Sequence, residues 1–142
     1  MNQSDIVEIV VVEDDPNDAE LIMRVLRKRN LTNKLVHLQD GEQALDFIMG
    51  HANEHHPKVV LLDIKLPKVD GIEVLRQMKA NDKTKDIPVV ILTSSKEEKD
   101  VVAAYALGVN SYVTKPIKFD DFAKAVSEMG MYWMLLNKAL EE

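Results

Sequence analysis

The chain has 142 residues, the usual size of one domain, and its 46% hydrophobic and 30% charged content is that of an ordinary globular protein. A net charge of -6 with no basic stripe argues against nucleic acid as a partner, and the absence of cysteine excludes disulfides and thiolate metal sites. No basic leader precedes an apolar stretch and no apolar run approaches about 18 residues, so neither export nor membrane spanning is indicated and a cytoplasmic location is expected.

Ile6 to Val12 reads as a first strand that breaks at Asp15-Pro16, where Asp15 suits an N-cap, Pro16 the first helical position and Asp18 the first turn. A helix follows to about Arg29, with Leu21, Ile22, Val25 and Leu26 on one face. After a turn over Asn30 to Asn33, Lys34 to Leu38 alternates apolar and polar residues, as an edge strand does. Asp40-Gly41-Glu42-Gln43 resembles a capped helix start, and Ala44, Leu45 and Ile48 supply the buried side as far as about Met49. Gly50 to Lys58 is a polar loop. Its His51, His55 and His56 read as solvated residues, since a metal site needs an ordered supporting shell. His37, alone on its strand, reads as structural.

Val59 to Leu62 is a short apolar run between Pro57 and Pro67, as expected of a strand buried on both faces, and it ends at Asp63. Asp70-Gly71 starts a third helix that runs to about Ala80, burying Ile72, Leu75 and Met78. Asn81 to Ile87 is turn-like, and Pro88 opens a fourth strand, Val89 to Leu92. The spacing predicts a fourth helix over Lys96 to Leu107, with Val101, Val102, Tyr105 and Ala106 apolar and Gly108 as the residue just beyond its end. Ser111 to Thr114 is a short fifth strand, and from about Phe119 a last helix runs nearly to the end.

Five strands alternating with five helices predict a single doubly wound α/β domain over 1–142, and right-handed crossovers favour a flavodoxin-like parallel sheet of order 2-1-3-4-5. In that order the strand ends share one edge. Glu13 and Asp14, then Asp63, then Thr93 and Ser94, then Lys115 converge there. Carboxylates with a hydroxyl and a lysine suit a hard divalent cation and a phosphoryl group, because Mg²⁺ takes oxygen ligands and an ammonium offsets phosphoryl charge.

With these residues in place, the chain resembles a response-regulator receiver domain of two-component signalling over about residues 6 to 130. The resemblance implies that Asp63 is the phosphoacceptor, that Glu13 and Asp14 hold Mg²⁺ with Asp63 and the Lys65 carbonyl, that Thr93 is the switch hydroxyl and Tyr112 the switch aromatic, and that Lys115 binds the phosphoryl group. Glu13 stands where many receivers have aspartate, Leu66 where methionine is common, and Lys65 and Ser95 fill the two variable positions flanking the site. The resemblance extends to stand-alone regulators of phytochrome-like or hybrid histidine kinases. It implies a non-enzymatic output: partner binding, or transfer of the phosphoryl group to a histidine phosphotransfer protein, with no DNA-binding output domain. Two rivals carry less. A haloacid-dehalogenase-type phosphohydrolase needs a carboxylate two residues past the nucleophile, where Lys65 stands, and a receiver-like module that no longer accepts phosphate would not need the full set of residues.

The last helix carries a seam of Phe122, Val126, Met129, Trp133, Leu136 and Leu140 at spacings of four and three. From Phe119 to Leu140 it would be about 33 Å long, more than a five-stranded sheet covers. Met131, Trp133, Met134 and Leu135 therefore form an apolar patch expected to pair two copies of the chain as a homodimer.

Overall fold

In the computed structural model, which describes residues 8–28, 35–50, 56–95, 97–115, 118 and 120, the apolar runs become strands of one parallel sheet. The elements in chain order are β1 (Ile9–Val12), α1 (Pro16–Lys28), β2 (Leu35–Leu38), α2 (Gly41–Gly50), β3 (Val59–Leu62), α3 (Gly71–Ala80), β4 (Val89–Thr93), α4 (Glu98–Ala106) and β5 (Ser111–Thr114). The sheet order is β2-β1-β3-β4-β5, the flavodoxin-like arrangement expected from the sequence. Val12 pairs with both Leu38 and Leu62, so the chain leaves three neighbouring strands at one level. That common level places the functional residues together.

The three central strands are buried at every position, which explains why they read as continuous apolar runs rather than alternating ones. Side chains still alternate between faces. Ile9, Val11, Leu61 and Leu92 pack with Ile22 and Leu26 of α1, while Val10, Val12, Leu62 and Ile91 pack with Ala44, Ile48, Val74, Leu75 and Met78 on the other side. Truncating a fully buried member such as Leu62 to Ala removes about 2–5 kcal/mol of stability. β2 is only half-buried along its length, in keeping with its place at the edge.

Local chemistry sets the helix ends. Asp15 Oδ1 accepts from the Asn17 and Asp18 amides at 2.8 and 3.2 Å, Asp40 Oδ1 from Gln43 at 2.8 Å, and Asp70 Oδ1 from Glu73 at 2.9 Å. Gly108 takes a φ of 86° and closes α4, with its own amide donating to the Tyr105 carbonyl and the Val109 amide to the Ala104 carbonyl.

Two readings change. Among the described residues α4 begins at Glu98 rather than Lys96, and its buried positions are Asp100 and Ala104; Val102 and Tyr105 are 59% and 52% exposed. In α3, Val74 is fully buried whereas Ile72 is half-buried, because the helix turns the Val74-Leu75-Met78 stripe to the sheet. The expected last helix over about 119–140, with Met131, Trp133, Met134 and Leu135, falls outside the described residues except for Asp120.

The loop between β3 and α3 is folded tightly against Asp63. The Gly71 amide donates to the Ile64 carbonyl at 2.8 Å, and a Cβ at Gly71 would lie 2.1 Å from the Asp63 carbonyl oxygen. A Cβ at Gly41 would lie 1.7 Å from the Val69 carbonyl oxygen, so the start of α2 presses on the same loop. These two glycines permit close backbone approaches that no other residue would, and they fix where the loop carries Asp63.

Candidate functional site

Asp63 is the first residue past β3. Its amide donates to the Val12 carbonyl at 3.1 Å, so the sheet ladder continues one residue beyond the strand and holds the side chain at the rim, 5% exposed. On the neighbouring strand the Glu13 amide donates to the Leu38 carbonyl at 3.0 Å, and the Glu13 carbonyl meets His37 Nε2 at 2.8 Å. His37 is structural, as expected, and it steadies the acidic turn. One carboxylate oxygen each from Glu13, Asp14 and Asp63 lies within 4.8 Å of the others, with Glu13 and Asp63 buried and Asp14 exposed.

Lys115 follows β5 at the far edge of the sheet. Its amide donates to the Thr93 carbonyl at 2.8 Å, and its side chain crosses the end of β4 to reach the acidic cluster. There Nζ lies 3.0 Å from Asp63 Oδ2 and 2.8 Å from Asp18 Oδ2, and it also donates to Glu13 Oε1. The ion pair between Lys115 and Asp63 joins the ends of β5 and β3 across β4. Asp18 is legible in the sequence only as a favourable charge at a helix start. In the fold, its place at the third position of α1, one turn above the Asp15 cap, brings it to the same edge.

Three carboxylates thus contact one ammonium, with Asp14 beside Glu13 and Asp63, and the imbalance shows in the titration of Glu13 and Lys115. Burial pushes the Glu13 carboxyl up to about 7; the Lys115 hydrogen bond opposes this and the charge of Asp63 adds to it. For Lys115, burial favours the neutral amine, yet hydrogen bonds to Asp18, Glu13 and Asp63 override it and raise the pKa. A half-enclosed site with excess carboxylate attracts a second cation. The donors are oxygen only and Asp14 leaves one side open to water, which fits a hard divalent ion and no soft one.

On the other flank, Thr93 is fully buried and its Oγ1 accepts from the Ser95 amide at 3.3 Å, while Ser94 is exposed beside it. The Tyr112 hydroxyl donates to the Ser95 carbonyl at 2.9 Å, and its ring stacks on Tyr105 with centroids 6.5 Å apart. Burial raises the Tyr112 pKa, so the phenol stays a donor. The Lys65 amide donates to Asp63 Oδ1 at 3.3 Å, and its ammonium lies 3.5 Å from Asp100 Oδ2. Asp100 is the second residue that sequence reasoning missed, because an acid in the first turn of a helix ordinarily signals only a favourable dipole interaction. Glu13, Asp14, Asp63, Lys65, Thr93, Ser94 and Lys115 all lie at the carboxyl edge of the sheet, whereas Tyr112 sits within β5 opposite Ile91 and reaches that edge through its hydroxyl.

Such an edge sets a carboxylate cluster able to hold a divalent cation beside a buried ammonium. The sequence matches the response regulator receiver domain over residues 9–127, and the chain belongs to that family. It is 42% identical over 133 residues to the probable methanogenesis regulatory protein FilR2 of Methanothrix harundinacea, covering 92% of this chain and 86% of that protein. It is 40% identical over 129 residues to the response regulator Rcp1 of Synechocystis, covering 89% of this chain and 88% of that one. Among solved structures, the bacteriophytochrome response regulator RtBRR superposes with a TM-score of 0.80 at 45% identity, over 90% of this chain and 80% of that one. The Mn²⁺-bound form of Rcp1 superposes with a TM-score of 0.72 at 37% identity, over 92% and 90%.

Proposed function

We propose that this chain is a stand-alone response regulator of a phosphorelay, accepting a phosphoryl group on Asp63 from a sensor or hybrid histidine kinase. The observation that carries the reading is the placement of Asp63, held at the rim by the sheet with one oxygen on Lys115 Nζ and the other on the Lys65 amide. A carboxylate is a weak nucleophile, so transfer depends on positioning and on neutralising the phosphoryl oxygens. In the transfer, Asp63 Oδ forms a bond to phosphorus as the kinase's histidine nitrogen leaves with the bond's electron pair. Lys115 supplies a fixed positive charge on one side. Mg²⁺, held by Glu13, Asp14 and Asp63 with the Lys65 carbonyl, would supply the second charge; the Mn²⁺-bound form of Rcp1 supports a divalent ion in this class of site.

The product is an aspartyl phosphate with about one more negative charge and new acceptor oxygens. Thr93 turns its hydroxyl to one of them, Tyr112 moves into the vacated space, and the surface of α4 and β5 is remodelled. The chain performs no other catalysis beyond its own phosphorylation and slow hydrolysis. Its output is altered partner binding, or passage of the phosphoryl group to a histidine phosphotransfer protein, in the cytoplasm. Likeness to Rcp1 and to a bacteriophytochrome response regulator supports a phytochrome-type kinase, and the apolar C-terminal residues support a homodimer.

The test is Asp63→Asn, which keeps the shape and removes the nucleophile. Incubation with a small acyl-phosphate donor and Mg²⁺ should label the wild type with acid-stable, hydroxylamine-sensitive phosphate and leave the variant unlabelled. Undiminished labelling of the variant would sink the assignment.

A further inference from the structure

The structure holds a second polar cluster next to the site, and it shares only Lys65 with the acidic centre. Asp100, in the first turn of α4, is 8% exposed. Its Oδ2 accepts from the Ser95 hydroxyl in a short hydrogen bond and lies 3.5 Å from the Lys65 ammonium. Ser95 Oγ in turn accepts from the Glu97 amide at 3.4 Å, and the Ser95 carbonyl holds the Tyr112 hydroxyl. One carboxylate therefore ties together a cation two residues from Asp63, the turn after β4, the start of α4 and the switch aromatic.

We propose that Asp100 is a positioning residue that sequesters Lys65 in the resting state, and that a phosphoryl group on Asp63 takes this ammonium away from it. The proposal rests on the phosphoacceptor assignment above. Lys65 can make the exchange because its own amide already touches Asp63 Oδ1 while its side chain, 56% exposed, is free to swing. The phosphoryl oxygens are the stronger competitor because they carry about two negative charges to the carboxylate's one. Once Lys65 leaves, Asp100 keeps only the neutral Ser95 hydroxyl at that oxygen. The turn that carries the Tyr112 acceptor is then held by fewer charges. Phosphorylation is thereby reported to α4 along Lys65, Asp100 and Ser95, beside the route through Thr93.

The bland reading is that Ser95 and Asp100 only cap α4, and a thermodynamic cycle separates the two. Binding of beryllofluoride with Mg²⁺, a phosphoryl mimic, is measured by calorimetry for wild type, Asp100→Asn, Lys65→Met and the double variant, with Asp100→Glu as the conservative rescue. Freed from its partner, Lys65 should make Asp100→Asn bind the mimic at least about five-fold tighter, and the gain should vanish in the Lys65→Met background. Asp100→Glu should return to wild-type affinity. In 3-fluorotyrosine-labelled protein, the Tyr112 signal of unliganded Asp100→Asn should already lie part of the way to its mimic-bound position. An unchanged affinity, or a gain that survives Lys65→Met, overturns the proposal. If Asp100→Asn does not fold, Lys65→Met alone decides it: the mimic should bind more weakly and shift Tyr112 less than in wild type, and equality on both counts refutes the route. Failure of the wild type to bind the mimic, or equal binding by Asp63→Asn, would instead overturn the phosphoacceptor assignment.

Discussion

Replacing Lys115 by Met keeps the apolar stem of the side chain and removes the only cation that contacts Glu13, Asp18 and Asp63 among the described residues. Glu13 and Asp63, 1% and 7% exposed at their side chains, are left to face each other. Removing one partner of a buried ion pair costs about 3–5 kcal/mol, and the lower figure applies here because exposed Asp14 admits water on one side. With an unfolding entropy of about 0.3 kcal/mol/K for 142 residues, a loss of about 3 kcal/mol lowers Tm by about 10 °C. The loss depends on pH with a definite sign. The folded-state pKa of Glu13, about 7, lies above its ordinary 4.5, so the stability from its bound proton is complete below 4.5 and disappears as pH rises through about 7. Without Lys115 that pKa moves higher still, so the variant should fall furthest below wild type at pH 8 and least at pH 5. Mg²⁺ should recover part of the deficit at pH 8 by supplying the missing positive charge. Thermal unfolding followed by circular dichroism, at both pH values with chelator or Mg²⁺, gives the comparison. An equal deficit at pH 5 and pH 8, or one under about 3 °C at pH 8 in chelator, would refute the electrostatic account.

Gly71→Ala should destabilise by at least about 1–3 kcal/mol in urea unfolding and slow labelling of Asp63, since its Cβ meets backbone at 2.1 and 2.8 Å; Gly50→Ala, with open space around it, should change stability by less than about 1 kcal/mol. Thr93→Ala should accept phosphate but lose the change in partner affinity, and a wild-type change measured by surface plasmon resonance would show the Thr93 route to be wrong. Sedimentation of wild type against Trp133→Glu tests the homodimer: the wild type should sediment as a dimer at tens of micromolar and the variant as a monomer, whereas two monomeric profiles rule it out.

The parts of this protein that are legible in the sequence are those set by local rules. The run Val59–Leu62 between two prolines marks β3, and the Asp15, Asp40 and Asp70 caps and the left-handed Gly108 mark the ends of helices within a few residues of each signal. Once the strand order follows from crossover handedness, the meeting of Glu13, Asp14, Asp63, Thr93 and Lys115 is a consequence of topology, which is why the acidic centre can be assembled from the sequence. Contacts that depend on helix rotation are not legible in this way. Asp18 and Asp100 each sit in a first turn where an acid is favoured by the dipole alone, so nothing in their spacing reveals that one reaches Lys115 and the other Lys65.

Helix rotation also explains why α4 departs most from its expected pattern. An apolar stripe specifies how a helix seats on a sheet, as Val74, Leu75 and Met78 do for α3, but the buried positions of α4 are a carboxylate and an alanine one turn apart. Its larger apolar side chains, Val102 and Tyr105, point to solvent. This helix is therefore seated by the Ser95, Lys65 and Asp100 contacts and by its glycine-closed end as well as by the burial of Ala104. An element held that way lies at the low-stability end of the fold, and a change in the charge on Asp63, relayed by a lysine two residues away, is enough to alter one of the contacts that seat it.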